Sequence, residues 1–370
     1  MVEHAADFEW RGEGEDAEIV IYAPDDATVE RAFEKTLPAA GLPGVLSPVY
    51  AAASSNDLGW AVVSETHAAP DLISAPARGL LLVAGASAAD LGVPPGEAEA
   101  LILRNLSEVS LPRLGEAAMR RAVEAGALWA AEEGFITEED LNLFGVHVAG
   151  EPDALPRRAL SAGARDFDRF GRASVYEITE VLDMERAEAL GLSTGALVLS
   201  VETTPKDPGR LALAAHRERI LGRVWSADFG ATADLPAAPL ETEEAADLLA
   251  AVRAVANYAD ARAALRLYGL RRALAGEGGL ALRAVWQVGG LAREDGLLLR
   301  RNLAAAEVGS ALVTGNFVAV GTGAMRESAP PFGPGLEEDA SWAWEEAGLL
   351  GRVSSLGPAE GQGGEPPPRR

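Results

Sequence analysis

The sequence predicts an α+β fold, and three observations carry that expectation. Apolar runs are short and bounded by polar residues or by Gly and Pro. Helical periodicities lie among them without strict strand–helix alternation, and no internal repeat is present. In chain order the strands read as Glu18 to Ala23, Trp60 to Ser64, Leu80 to Ala84, Ser174 to Leu182, Ala196 to Thr203, Leu280 to Val288 and Ala311 to Val320. Pro112 to Glu133 repeats apolar residues at three and four, with Ala118, Met119 and Ala122 on one side, so it reads as helix. Thr137, followed by Glu138, Glu139 and Asp140, is an N-cap with acids in the first turn, where the helix dipole favours them. Asp183 to Leu190 is a further helical stretch. The clearest helix runs from Thr242 to about Ala275: Leu248, Leu249, Val252, Val255, Ala256, Ala259 and Ala263 form one apolar stripe, and Gly276-Glu277-Gly278-Gly279 stops it. A last helix is expected over Glu337 to Arg352, carrying Trp342 and Trp344, before a Gly/Pro-rich tail that begins at Gly357 and is expected to be disordered.

Length and composition bound the function. A chain of 370 residues makes one large domain or two ordinary ones, and 48% apolar with 24% charged residues is a globular balance. Two uncharged stretches, Thr36 to Asn56 and Val308 to Met325, are long enough for a membrane span, but Pro38, Pro43 and Pro48 break the first and five Gly or Asn residues the second. Met1-Val2-Glu3-His4 has neither the basic nor the apolar region of a signal peptide, so a cytoplasmic location without membrane partners is expected. The absence of cysteine removes disulfides, thiolate nucleophiles and Cys-rich zinc sites. Against 56 acidic residues stand 32 basic ones, of which only Lys35 and Lys206 are lysine. The resulting charge of −24 repels RNA and DNA on average and favours a protein, a cation or a small molecule as partner.

Local motifs give no catalytic constellation. Gly191-Leu192-Ser193-Thr194-Gly195 matches the G-x-S-x-G pattern, but a helical stretch precedes it and a strand follows, the reverse of a nucleophile elbow; a plain turn is expected. Lys206-Asp207-Pro208-Gly209 resembles the K-x-D-G lysine motif of nucleotidyl-transferring ligases with the Asp one position early, and it reads as a Pro-Gly turn. His4, His67, His147 and His216 share no short ligand spacing; His67 with Asp71 is a two-ligand fragment, short of a metal site. Glu132-Glu133 reads as solvated acids near a helix C-terminus, and Glu337-Glu338-Asp339 as a helix opening. Gly321-Thr322-Gly323 offers backbone amides to a phosphate, but a lone G-x-G reads as a turn.

The order of several segments nevertheless resembles the RtcB-type RNA ligases, the tRNA-splicing ligase family. Gly41-Leu42-Pro43-Gly44 followed by Leu58-Gly59-Trp60-Ala61-Val62-Val63 looks like that family's early stretch, where Pro-Asp-x-His-x-Gly precedes Ile-Gly-x-Val. Asp166 to Asp183 resembles the Gly-Asn-His-Phe-x-Glu segment with Glu177 as its last Glu. Gly191 to Gly209 resembles the segment whose strand ends in His-Ser-Gly-Ser-Arg-Gly. Ala256-Asn257-Tyr258-Ala259 matches Ala-Asn-Tyr-Ala on a long helix, Leu299-Arg300-Arg301-Asn302 resembles Val-His-Arg-Lys-Gly, and Thr314-Gly315-Asn316-Phe317 stands where Pro-Gly-Ser-Met would. Trp344 to Gly363 resembles the closing helix and terminus, so the likeness spans about Gly41 to Gly363.

The resemblance implies a single large domain over residues 1–356, with mixed or antiparallel sheets flanked by helices, followed by a tail over 357–370. It also implies joining of RNA ends with GTP and manganese, through Asp, Cys and His ligands and a histidine that takes GMP. Those positions differ here. Gly79 to Gly85 has neither Asp nor Cys, Asn-His becomes Ala173-Ser174, the strand-end ligand His becomes Glu202, and the Ser-Arg after it becomes Pro205-Lys206. Gly289-Gly290 lies where His-Asn is expected, the block with the nucleophilic histidine is missing between Met325 and Glu337, and Gln362 matches the terminal lysine. The expectation is therefore an RtcB-like pseudoenzyme of the RNA-repair ligase family, acting by binding or scaffolding, with no catalytic residue, no metal ligand and no cofactor. Glu202, Lys206, Arg300, Arg301 and Gln362 would line its cleft, and Glu202 is a hard oxygen donor suited to magnesium or calcium if the pocket holds a metal. RNA enters as a partner only through the resemblance. The alternatives are a divergent active ligase using GTP and manganese, with rebuilt ligands converging on His67, His147 or His216, and a structural subunit covered by a partner chain.

Overall fold

The computed structural model describes residues 2–6, 9–23, 25–53, 58–84, 100–101, 104–105, 108–167, 173–224, 235–274, 279–293, 296–306, 311–314, 317–320 and 349–355. Its strands form one 13-stranded mixed sheet. From one edge the order is β1 (Val2–Ala6), β2 (Glu9–Glu13), β3 (Glu18–Tyr22), β4 (Val45–Ala53), β5 (Leu58–Ser64), β12 (Leu297–Ala306), β11 (Leu280–Arg293), β7 (Ala77–Ala84), β9 (Leu197–Thr203), β8 (Ala173–Val181), β15 (Leu349–Ser355), β14 (Phe317–Val320) and β13 (Ala311–Thr314). A separate ribbon pairs β6 (His67–Ala68) with β10 (Ala238–Pro239). Of the described pairings only β3 with β4 is parallel, and helix α1 (Asp26–Ala40) makes the crossover that a parallel pair requires. The middle strands read as continuous apolar runs because they are covered: Leu80, Leu81 and Leu82 of β7 are all fully buried.

The other helices are α2 (Glu116–Ala125), α3 (Ala127–Glu132), α4 (Glu138–Leu143), α5 (Arg157–Asp166), α6 (Met184–Ala189), α7 (Lys206–Val224) and α8 (Glu243–Ala273). The N-cap signature at Thr137 is present as a full capping box: the Thr137 hydroxyl accepts from the Asp140 amide, and the Asp140 carboxylate accepts from the Thr137 amide. Helix α8 has 31 residues and Thr242 as its N-cap, with Glu243 and Glu244 in its first turn and Arg271 and Arg272 in its last, all favourable to its dipole. Its first turns, through Ala245, Leu248 and Val252, pack into a core with Trp10, Ile19, Ile21 and Trp60. Farther along, Val255, Tyr258 and Leu265 enter a second core with Met119, Trp129 and Phe167. Between Asn257 and Leu267 the helix is buried on every side, so its polar residues must find partners inside. Asp260 pairs with Arg78, Arg262 with Asp166 at 3.1 Å, and Asn257 donates to the Glu124 and Val148 carbonyls at 2.8 and 3.0 Å. The Tyr258 hydroxyl donates to the Gly163 carbonyl at 3.2 Å, and burial pushes its pKa up to about 12.

Four expectations change. The stretch read as one helix from Pro112 is two, α2 and α3, broken at Gly126 with φ +57. The stretch Ala311 to Val320 is two strands, not one: Thr314 faces Phe317 across an antiparallel pair. Leu349 to Arg352, expected to end a helix, belong to β15, where pairing with both β8 and β14 outweighs local helix preference. The rest of that stretch, from Glu337, lies outside the described residues with Gly321-Thr322-Gly323 and the tail. Finally, Lys206-Asp207-Pro208-Gly209 is the first turn of α7 and not a turn between elements; Pro is tolerated there because its missing amide would have no helical partner. Among the described residues no helix is long and apolar enough to cross a membrane.

Candidate functional site

A cleft of about 470 Å³ opens where the end of β9, the start of α7, β12 and the segment 70–77 meet. Three of the five residues singled out from sequence line it together: Glu202, Lys206 and Arg301. Arg300 does not line it; it is the neighbour of Arg301 on β12, faces the other way as strand alternation requires, and is buried. Gln362 lies outside the described residues.

The remaining charged residues of the lining are Asp71, which the sequence suggested only as a fragment with His67, and Arg210 and Arg217, which no motif marked. Asp71 organises two of the arginines. Its carboxylate accepts from Arg217 Nε at 3.0 Å, and its backbone carbonyl accepts from Arg301 Nη1 at 2.8 Å. The Arg301 guanidinium also lies 5.0 Å from the centre of the Trp60 ring, opposite it on the neighbouring strand, a cation–π contact that fixes it at the rim. The Glu202 carboxylate accepts from the Thr204 hydroxyl at 3.0 Å, and the Lys206 ammonium meets no acid among the described residues. With Lys206, Arg210, Arg217 and Arg301 against Asp71 and Glu202, the cleft is basic by formal charge in a chain of net −24. The N-terminus of the 19-residue helix α7 adds its dipole in the same sense.

The corner that carries Glu202 and Lys206 is held from behind by two buried arginines of α8. Arg262 Nη1 donates to the Thr204 carbonyl at 3.1 Å, and Arg266 Nη1 donates to the Glu202 carbonyl. Burial and the neighbouring Arg262 lower the Arg266 pKa to about 9. A readable sign of this pair was the spacing of two arginines at i and i+4 inside an Ala-rich apolar stripe, where each must find an internal partner.

The opposite wall depends on close backbone approach. Gly209 of α7 faces Ala75, and a Cβ there would stand 2.2 Å from the Ala75 Cβ. Gly289 and Gly290 have φ of +66 and +78 at a bulge in β11, and Gly290 donates to the Ser74 carbonyl at 2.9 Å. His67, His147 and His216 do not line the cleft. His67 Nδ1 lies 2.8 Å from the Thr66 hydroxyl, and Asp71 is engaged with Arg217, so they form no ligand pair. His216 is buried, with Nε2 at 3.4 Å from the Ala154 carbonyl, and burial lowers its pKa below 6.5. Gly191 and Gly195, at φ +69 and +83, bracket Ser193 in the expected turn before β9.

No protein-family model matches the chain. It is 30% identical to the tRNA-splicing ligase RtcB of Pyrococcus furiosus over 144 residues, 36% of this chain and 15% of that protein. It is 29% identical to the RtcB of Pyrococcus abyssi over 148 residues, covering 36% and 16%, and 28% identical to that of Thermococcus kodakarensis over 147 residues, covering 36% and 30%. This is a distant RtcB-like relationship. It spans less than a third of the length of each of these relatives.

The RtcB resemblance brings manganese with it, and the cleft's own donors bear on that. Among the described residues of its lining the carboxylates are Asp71, already paired with Arg217, and Glu202; no histidine is among them, and four cationic side chains are, of which Arg210 pairs with Asp207 at 3.5 Å. A divalent cation there would face the Lys206 ammonium and the Arg301 guanidinium with Glu202 as the one carboxylate of the described lining outside an ion pair, so these residues do not fit a manganese site. Among the described residues, no group of three or more His, Asp or Glu converges elsewhere.

Proposed function

We propose that this chain is an RtcB-like protein that acts by binding a small phosphate-bearing ligand in the cleft between β9, α7 and β12, and that it does not carry out metal-dependent RNA joining. The observation that carries the reading is the convergence of Lys206, Arg210, Arg217 and Arg301 in one cleft of a chain with 24 excess negative charges. Local basic charge focuses an anion where the mean field would repel it, and a short ligand avoids the repulsion that a long polyanion meets beyond the cleft. Arg217 and Arg301 are pre-oriented by Asp71 and by the Trp60 ring, which lowers the ordering cost of binding. Glu202 supplies an acceptor at the rim for a hydroxyl or amine of the same ligand.

Two measurements test this. Calorimetric titration of the full chain with inorganic phosphate and with GTP is expected to give saturable binding, weakened at least tenfold in Arg301→Gln and in Lys206→Gln. Incubation with GTP, manganese and RNA ends bearing 3′-phosphate and 5′-hydroxyl is expected to give neither joined product nor GMP-linked protein. Joining or guanylylation would overturn the binding-only reading in favour of a divergent ligase. Absence of phosphate and GTP binding in a folded sample would remove the cleft as the site.

A further inference from the structure

On the other side of segment 74–78 lies a second cavity, of about 170 Å³, between α8, the α3–α4 region and the start of β7. The two spaces share a wall. Ala75 and Ala77 face the cleft while Pro76 and Arg78 face the cavity, and on β11 Val288 faces the cleft while Gln287 faces the cavity. The cavity's chemistry is different. Its sides are apolar, with Leu128, Phe144, Val252 and Leu291 among them. Its polar floor is closed on itself: the Asp260 carboxylate pairs with Arg78, with one contact at 3.2 Å, and Arg78 Nη1 donates to Gln287 Oε1 at 2.7 Å. That floor is neutral in sum and has spent its strongest donors internally.

The mouth is not closed in this way. Arg253 lines it, is exposed, and meets no acid or acceptor among the described residues; it stands three residues before Ala256, on the stripe of α8 that continues to Asp260. His147 lines the same mouth on the segment that Asn257 ties to α8 through the Val148 carbonyl. On that segment Val146 is 93% exposed and Val148 is 49% exposed, an apolar lip that water alone covers in the free chain. A half-open space of about 170 Å³ with apolar side chains on its sides, a polar floor closed on itself, and at its opening a guanidinium without a partner among the described residues defines a ligand with a ring at one end and an anion at the other.

We propose that this cavity is a second binding site, specific for a small aromatic carboxylate whose ring enters between α8 and α4 and whose carboxylate meets Arg253. The forked guanidinium suits a planar carboxylate better than a point charge would. The site is independent of the reading of the basic cleft, because its ring pocket uses none of the cleft's charged residues.

Benzoate is the probe. Titration of the full chain with benzoate, followed by two-dimensional NMR, is expected to show saturable shifts with Kd on the order of 1 mM, and benzyl alcohol is expected to bind at least fivefold more weakly. Arg253→Gln, an exposed change that leaves the fold intact, should reduce benzoate affinity at least fivefold while phosphate binding in the cleft is unchanged. Ala256→Leu should abolish benzoate binding by filling the cavity. No saturation by about 50 mM, about fifty times the expected Kd, overturns the proposal. So does benzoate binding that Arg253→Gln leaves untouched, or an equal affinity for benzyl alcohol.

Discussion

Single residues show how this chain keeps charge inside. Asp140 is both the capping partner of Thr137 and the acceptor for Arg271 Nη2 at 2.8 Å, and although burial raises its pKa, Arg271 and Thr137 together bring it below the ordinary carboxylate value. Asp140→Ala removes the carboxylate half of the capping box and takes from Arg271 its acid partner, leaving that guanidinium only the Leu280 carbonyl, so we expect a loss of about 2–4 kcal/mol, read from urea unfolding. His67 and His216 behave in the opposite sense to surface histidines. Burial lowers both pKa values below 6.5, and the nearby Glu241 and Asp247 oppose this only in part. The folded state therefore holds both rings neutral, and the unfolded chain takes up protons first as pH falls. Their contribution to stability is present above pH 6.5 and is lost as pH drops through their folded values. The melting temperature is expected to fall between about pH 7 and pH 5, and a His67→Gln, His216→Gln double variant should flatten that decline. An unchanged slope in the double variant would assign the acid sensitivity to carboxylates instead.

Elements pack as closely as they do because particular positions lack a side chain. Gly79 of β7 faces Trp286 of β11 across the sheet, and a Cβ there would stand 1.9 Å from the indole. Gly79→Ala must displace a 6%-exposed ring, so a cost of about 1–3 kcal/mol and a shift in tryptophan emission are expected. Gly209→Val makes a comparable test of the cleft: it drives the first turn of α7 away from Ala75, and phosphate affinity should fall more than stability does, because Lys206 and Arg210 move with that turn. Helices whose ends carry their own chemistry were readable from sequence: α8, with Thr242 and its terminal charges, was placed within two residues at either end. α1, α5 and α7 were not, and β4 and β12 were also missed. Pro38 inside α1 and Pro208 inside α7 read as breaks, yet one sits in a last turn and the other in a first. β12 carries Arg300-Arg301-Asn302 in mid-strand, and local preference does not reveal that Arg301 finds Trp60 and Asp71 across the sheet.

At the scale of the whole molecule, charge sets the medium in which the site works. With −24 overall, the compact chain repels itself, so added salt up to about 0.3 M should raise the melting temperature while weakening phosphate binding in the cleft. Opposite signs for the two effects distinguish global repulsion from local attraction; parallel changes would deny that the cleft is electrostatic. The long helix ties both cores together, its first turns in one and its middle in the other. By itself the sequence determined the α+β class, the buried runs of the central strands, the long helix from its start at Thr242, and the likeness to the RtcB ligases, because periodicity, capping chemistry and apolar run length are local properties; of that helix's expected glycine stop, residues 276–278 lie outside the described residues, and Leu274 is the C-cap. It also singled out Glu202, Lys206 and Arg301 through that likeness. The order of thirteen strands was left to the tertiary structure, as were the pairing of Arg262 and Arg266 with the corner behind Glu202 and the meeting of Asp71 with Arg217 over 146 residues of chain. Those contacts join residues far apart in sequence, and only packing brings their partners into range.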